Sequence, residues 1–275
     1  MFLYGFESTI SVFGVEMMNI NESEIFVETL PGAGDLNFVL IHNAGSDHRF
    51  FIHQIEMLRK FGDVVQLDLP GSGKSHPISS YKMRDLSSVI TAICRKLSLK
   101  RICLIGLNNG ANIAIDTVLN QSLPIERLVL IDPPIFMDKS FLSEITSYIE
   151  NLEKVKFNHQ FVSLFVDSLF LNTNSRNKEI AESAFNGVNK KALSEIFKGL
   201  IEWDAKSAGI LKKIACPTLC ILTDEHHCSY EKMHQEAPQF EIGKVVGSKC
   251  WATLEVPEQV NAMIFRFLKI HADLE

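Results

Sequence analysis

The stretch LIGLNNGANIA, Leu104 to Ala114, runs from a short apolar segment through Gly106-Leu107-Asn108-Asn109-Gly110 into a second apolar segment with helical spacing. A continuous apolar run of this length, bounded by glycine, reads as a strand buried on both faces. Glycines two residues before and two residues after Asn108 mark a turn too tight for ordinary side chains. Asn at its centre suits a positive φ, which Asn adopts more readily than most residues other than glycine. The segment therefore predicts a strand, a sharp turn and a helix.

Outward from it the same rhythm repeats. SVFGVEMMNI and EIFVETLPG read as two strands joined by the polar turn NES. NFVLIHNAG, Asn37 to Gly45, reads as a buried strand ending in a loop. DHRFFIHQIEMLRKFG places Phe51, Ile55 and Leu58 on one helical face. DVVQLDLPGSG is a strand with a glycine-rich loop, MRDLSSVITAICRKLSL an amphipathic helix, RICLIGL and ERLVLIDPP buried strands, and ANIAIDTVLNQ the helix between them. Apolar strands alternating with helices imply a mostly parallel sheet covered on both faces, an α/β fold. From about 136 to 205 the rhythm stops. Helical patterns rich in phenylalanine (141, 157, 161, 165, 170, 185 and 197) take over. The rhythm returns at CPTLCILTD, passes through GKVVGSKCWATLEVP and ends in the helix EQVNAMIFRFLKI. The expected organisation is a core in residues 1–133, a helical cap in 134–205, and the rest of the core in 206–275.

The composition narrows the function classes. The chain has 275 residues, 46% hydrophobic and 22% charged, with a net charge of -6. No run of Lys and Arg offers a basic patch for nucleic acid. No apolar run reaches the ~18 residues of a membrane span. The apolar start, MFLYGFESTISVFG, lacks a basic leader region and reads as the approach to a first strand. Six cysteines without a spacing framework read as free thiols of a cytoplasmic protein.

Five segments, in order, resemble the α/β-hydrolase superfamily. LIHNAG is similar to its His-Gly oxyanion loop, DLPGSGKS to its Asp-x-x-Gly-x-Gly-x-Ser segment, and GLNNG to its nucleophile elbow. CPTLCILTDEHH resembles the strand that delivers the acid, and GSKCWATLEVPEQV the segment that delivers the catalytic histidine. The resemblance covers nearly the whole chain. It implies that the triad positions hold Asn108 for the nucleophile, Cys250 for the histidine, and His226 for the acid, with Asp224 as the alternative. It further implies that the backbone N–H groups of Ala44 and Asn109 form an oxyanion hole. Asn43 stands where the family has glycine, an exchange that its tolerance of positive φ would explain. With Trp251, these residues make up the expected ligand site.

Serine-based acyl transfer needs an attacking oxygen, a base and an orienting carboxylate. An amide side chain supplies no nucleophile at neutral pH, so Asn108 does not replace serine. Ser46, Ser72 and Ser248 lie in loops near the site, but none sits at a strand-to-helix elbow. The expected function is therefore binding of a small acyl- or carbonyl-containing molecule under a Phe-rich cap without serine-based hydrolysis, and no cofactor. The alternative is a hydrolase or lyase built on a Cys250–His226 thiol pair.

Three decoys carry less weight. His226, His227 and Cys228 are adjacent in sequence, unlike the spaced ligands of zinc sites, and Cys216 and Cys220 read as core residues of a strand, so no metal is expected. DLPGSGKS ends like a phosphate-binding loop, but Asp68 stands where that motif needs glycine, and its charge repels phosphate. Asp132 ends its strand with no histidine at position 250 to orient. His42 is expected to hold loop geometry.

Overall fold

The computed structural model describes residues 14–272 except 121, 153, 155–158, 173, 226, 227 and 229. Its strands are β1 (Gly14–Ile20), β2 (Ser23–Leu30), β3 (Leu36–Ile41), β4 (Gly62–Leu67), β5 (Ile102–Leu107), β6 (Ile125–Ile131), β7 (Thr218–Leu222) and β8 (Glu241–Lys244). They form one sheet in the order β1-β2-β4-β3-β5-β6-β7-β8. β1 pairs antiparallel with β2, and β2 with β4; every later neighbour is parallel. β5 is buried at all of its positions, as expected of a parallel strand covered on both faces.

The helices are α1 (Ile55–Leu58), α2 (Met83–Lys96), α3 (Asn109–Asn120), α4 (Lys139–Leu152), α5 (His159–Leu169), α6 (Ser175–Asn186), α7 (Lys190–Asp204), α8 (Tyr230–Glu236), α9 (Ala252–Glu255) and α10 (Pro257–Ile270). α4 to α7 come between β6 and β7. Asp204, at the end of α7, closes this segment on itself by accepting the N–H groups of Phe136 and Met137 at 2.6 and 3.2 Å.

Two local expectations are corrected. The single helix expected across residues 47–62 is a 3₁₀ turn at His48–Phe51 followed by α1. Long-range bonds override the helical spacing there. Asp47 caps the turn, while the N–H and Nδ1 of His48 are both held by Asp68 at 2.9 and 2.7 Å. Cys216 precedes β7 and is half-buried, so of the cysteine pair Cys220 alone is a strand core residue.

Candidate functional site

The turn after β5 is built as its glycines require. A Cβ on Gly106 would lie 2.4 Å from the Ala111 Cα, and one on Gly110 would lie 2.3 Å from the Ile41 carbonyl oxygen. Real Cβ atoms do not approach backbone this closely, so only glycine lets α3 begin directly against β3. Asn108 sits between them with φ 49°. Its N–H donates to the Ile131 carbonyl at 2.7 Å, and its carbonyl accepts from Ala111 at 2.8 Å. Asp132, ending the neighbouring β6, also has a positive φ of 50°. Two adjacent strands thus end in strained backbone at the carboxyl edge of the sheet, where ligands of open α/β sheets bind.

A cavity of about 210 Å³ lies over this edge. Its floor consists of Asn43, Ala44, Gly45, Asn108, Asn109, Cys250 and Trp251, and its roof is drawn from α4 to α7, with Phe141, Tyr148, Phe165 and Phe197 among the aromatic groups. Six of the seven residues expected at the site from sequence therefore share one cavity. The seventh, His226, lies outside the described residues. Trp251 is wedged edge-on between Phe50 and Phe170, at ring separations of 5.2 and 4.8 Å.

The hydrogen bonds of the floor were not legible in the sequence. The Ala44 N–H, one of the two expected oxyanion donors, donates to the side-chain oxygen of Asn109 at 2.7 Å. The second, the Asn109 N–H, donates to the side-chain oxygen of Asn108 at 2.9 Å. Both donors are thus bonded to the chain's own amide oxygens. The Nδ2 of Asn109, a residue that is 1% exposed, has no hydrogen-bond partner. The explanation offered for Asn43 is corrected. Its φ is not positive, and its side chain instead accepts from the Ser46 hydroxyl at 2.7 Å and donates to the Ala44 carbonyl at 2.9 Å.

His42 does hold loop geometry. Its Nε2 accepts the Leu69 N–H at 2.8 Å, and its Nδ1 lies 2.7 Å from the Asn43 carbonyl. The ring must therefore be neutral, with its proton on Nδ1. Burial lowers its pKa, against the opposing pull of Asp68.

Cys250 is poorly placed to ionise. Burial pushes its thiol pKa up, and Asp132, Glu255 and Glu225 push it further, against a smaller opposing effect of Lys249. Asp132, set aside from sequence, is thus a neighbour of Cys250. Asp224, the alternative acid, is committed elsewhere. It accepts the Gly247 N–H at 2.6 Å and pairs with Lys244 at 3.2 Å; the Gly247 bond and Lys244 lower its pKa. Glu255 ties the Cys250 loop to the segment between α5 and α6. One carboxylate oxygen accepts from Ser248 and Lys249, the other from the N–H groups of Leu171 and Asn172.

Among the described residues, the metal-ligand atoms that lie close together belong to Asp47, His48 and Asp68. Arg49 already neutralises Asp47, and His48 and the Lys74 N–H occupy Asp68. That last bond also spends on a carboxylate an amide that a phosphate loop would offer to its ligand.

A family model described as alpha/beta hydrolase fold matches residues 29–212. The chain is 22% identical to an (E)-2-((N-methylformamido)methylene)succinate hydrolase of Acinetobacter baylyi, across 84% of this chain and 89% of that protein. It is 28% identical to a pimeloyl-[acyl-carrier protein] methyl ester esterase of Wigglesworthia glossinidia brevipalpis, across 69% of this chain and 74% of that one. Among solved structures, an esterase from Exiguobacterium antarcticum superposes with a TM-score of 0.79 at 18% identity, covering 94% of this chain and all of that chain, a likeness of fold.

Proposed function

This chain belongs to the alpha/beta hydrolase fold family, and from that premise we propose that it binds a small carbonyl- or acyl-containing molecule without hydrolysing it. The triad positions are then Asn108, His226 and Cys250, α4 to α7 form a cap over residues 134–205, and Asn43, Ala44, Asn109 and Trp251 contact the ligand. One observation carries the reading. The two N–H groups that would stabilise an oxyanion already donate to Asn109 and Asn108. A catalytic oxyanion hole works because its donors await the charge that develops in the transition state. Donors satisfied in the ground state must first break a bond, and that cost opposes catalysis.

The residues themselves support the same reading. Asn108 has no nucleophilic oxygen comparable to a serine hydroxyl. A thiol whose neighbours favour its neutral form is a weak nucleophile, which argues against the Cys250 alternative. The hydrolase and esterase names of the relatives support an acyl or carbonyl ligand by analogy.

The test is hydrolysis of p-nitrophenyl acetate by the wild type and by Cys250→Ala. The expected result is that neither exceeds the buffer rate. Saturable turnover by the wild type, lost in Cys250→Ala, overturns the reading.

A further inference from the structure

The cavity shares a wall with an outer groove of about 590 Å³ that runs along α4 and α5. Glu144, Tyr148 and Phe165 line both spaces. Glu144 is exposed to solvent, so this wall marks a mouth of the cavity. Helix geometry sets Phe141 one turn before Glu144 and Tyr148 one turn after it, on the same face of α4, with Cβ atoms about 5–6 Å apart. Both rings keep accessible surface, and Tyr148 is stacked on Phe165 at 5.3 Å. A carboxylate thus stands between two aromatic rings at the opening.

Among the described residues, Glu144 is the only charged side chain that lines either space. It forms no ion pair with any of them. An anionic ligand would give up its water there and meet a carboxylate instead of a cation. By itself an exposed carboxylate holds a cation weakly. Aromatic rings within about 6 Å of the cation add a cation–π attraction, the means by which aromatic-lined sites hold quaternary ammonium groups. Such a group has no N–H to satisfy, so it suits a lining that is mostly apolar.

Resting on the binding function proposed above, we infer that the ligand is a small carbonyl compound that also carries an organic ammonium group, with the cation held at Glu144 beside the rings of Phe141 and Tyr148 and the rest of the molecule inside the cavity. The carboxylate selects the sign of the charge, and the rings make up for its exposure to water.

Three methyl ketones that differ in charge test this: 5-(trimethylammonio)pentan-2-one, its neutral isostere 6,6-dimethylheptan-2-one, and the anion 5-oxohexanoate. Binding is read by isothermal titration calorimetry at low ionic strength. The ammonium ketone is expected to bind at least about 5-fold more tightly than the neutral one, and the anion most weakly. Glu144→Gln, an exchange at an exposed position, should weaken the ammonium ketone by about 3- to 10-fold and leave the neutral ketone unchanged. Added salt should weaken the ammonium ketone in the wild type and not in Glu144→Gln. Tyr148→Leu removes a ring and keeps an apolar group, so it should cost the ammonium ketone more than the neutral one. Circular dichroism checks that each variant folds, and Glu144→Gln decides alone if Tyr148→Leu does not. Neutral and ammonium ketones of equal affinity, an ammonium affinity indifferent to Glu144→Gln, or equal losses in a folded Tyr148→Leu overturn the inference while the binding function stands. If none of the three ketones binds at millimolar concentration, the binding function falls with it.

Discussion

Asn109 Oδ1 accepts the backbone N–H of Ala44 at 2.7 Å, joining the first turn of α3 to the loop after β3 across 65 positions of sequence. This bond fixes the loop after β3 against the start of α3 and occupies the Ala44 N–H. Asn109→Ala leaves the Ala44 N–H buried without a partner. The expected loss is about 1–2 kcal/mol, offset in part because the unpartnered Nδ2 also disappears. Urea denaturation measures it, and unchanged stability would mean that the bond contributes nothing.

The elbow glycines allow less latitude. Gly110→Ala puts a methyl group 2.3 Å from the Ile41 carbonyl oxygen, where neither β3 nor α3 can retreat without losing its pairing. The expected cost is about 3 kcal/mol, or failure to fold. A soluble Gly110→Ala protein with wild-type melting behaviour contradicts this account.

Protonation of His42 should limit stability in mild acid. Its folded pKa is lowered and its unfolded pKa is about 6.5, so the unfolded chain takes up the proton first. The neutral ring's contribution is present in full above that value and is lost as pH falls from about 6.5 toward the folded pKa. Melting temperature measured from pH 7.5 to 5 should decline, and His42→Asn should start lower and decline less. Parallel profiles for the two proteins would remove His42 as the cause.

Cys250 should behave as an ordinary buried thiol. Its alkylation by iodoacetamide, followed by mass spectrometry, is expected to be slow at pH 7 and still rising at pH 9, because its pKa is raised. A fast reaction that levels off below pH 8 would instead mark an activated thiol and revive the alternative chemistry.

Glu255 predicts a local effect. Glu255→Ala removes the acceptor for the amides of Leu171, Asn172 and Lys249 together. Hydrogen exchange at those amides should accelerate at least 10-fold, with a global loss of about 1–3 kcal/mol. Amides of β5 should show only the global change. Uniform acceleration across the sheet would mean that Glu255 supports the whole fold rather than this junction.

The sequence alone determined much of this protein. Unbroken apolar runs identified the parallel strands, because a strand covered on both faces needs apolar side chains in both directions. Gly106 and Gly110 marked the elbow, because no other residue fits there. These properties belong to single residues or to their near neighbours, where spacing reports geometry directly. The helix expected across residues 47–62 failed because Asp68, far along the chain, holds His48. Tertiary structure alone decided that Asn109 reaches Ala44, that Asp132 neighbours Cys250, that Asp224 is spent on Gly247, and that Tyr148 and Asn108 line one cavity. Each depends on how loops from different strands meet at the edge of the sheet. Hydrophobic periodicity cannot report such a meeting, because a hydrogen bond is set by ångström-scale placement of atoms and periodicity only by which face of an element is buried.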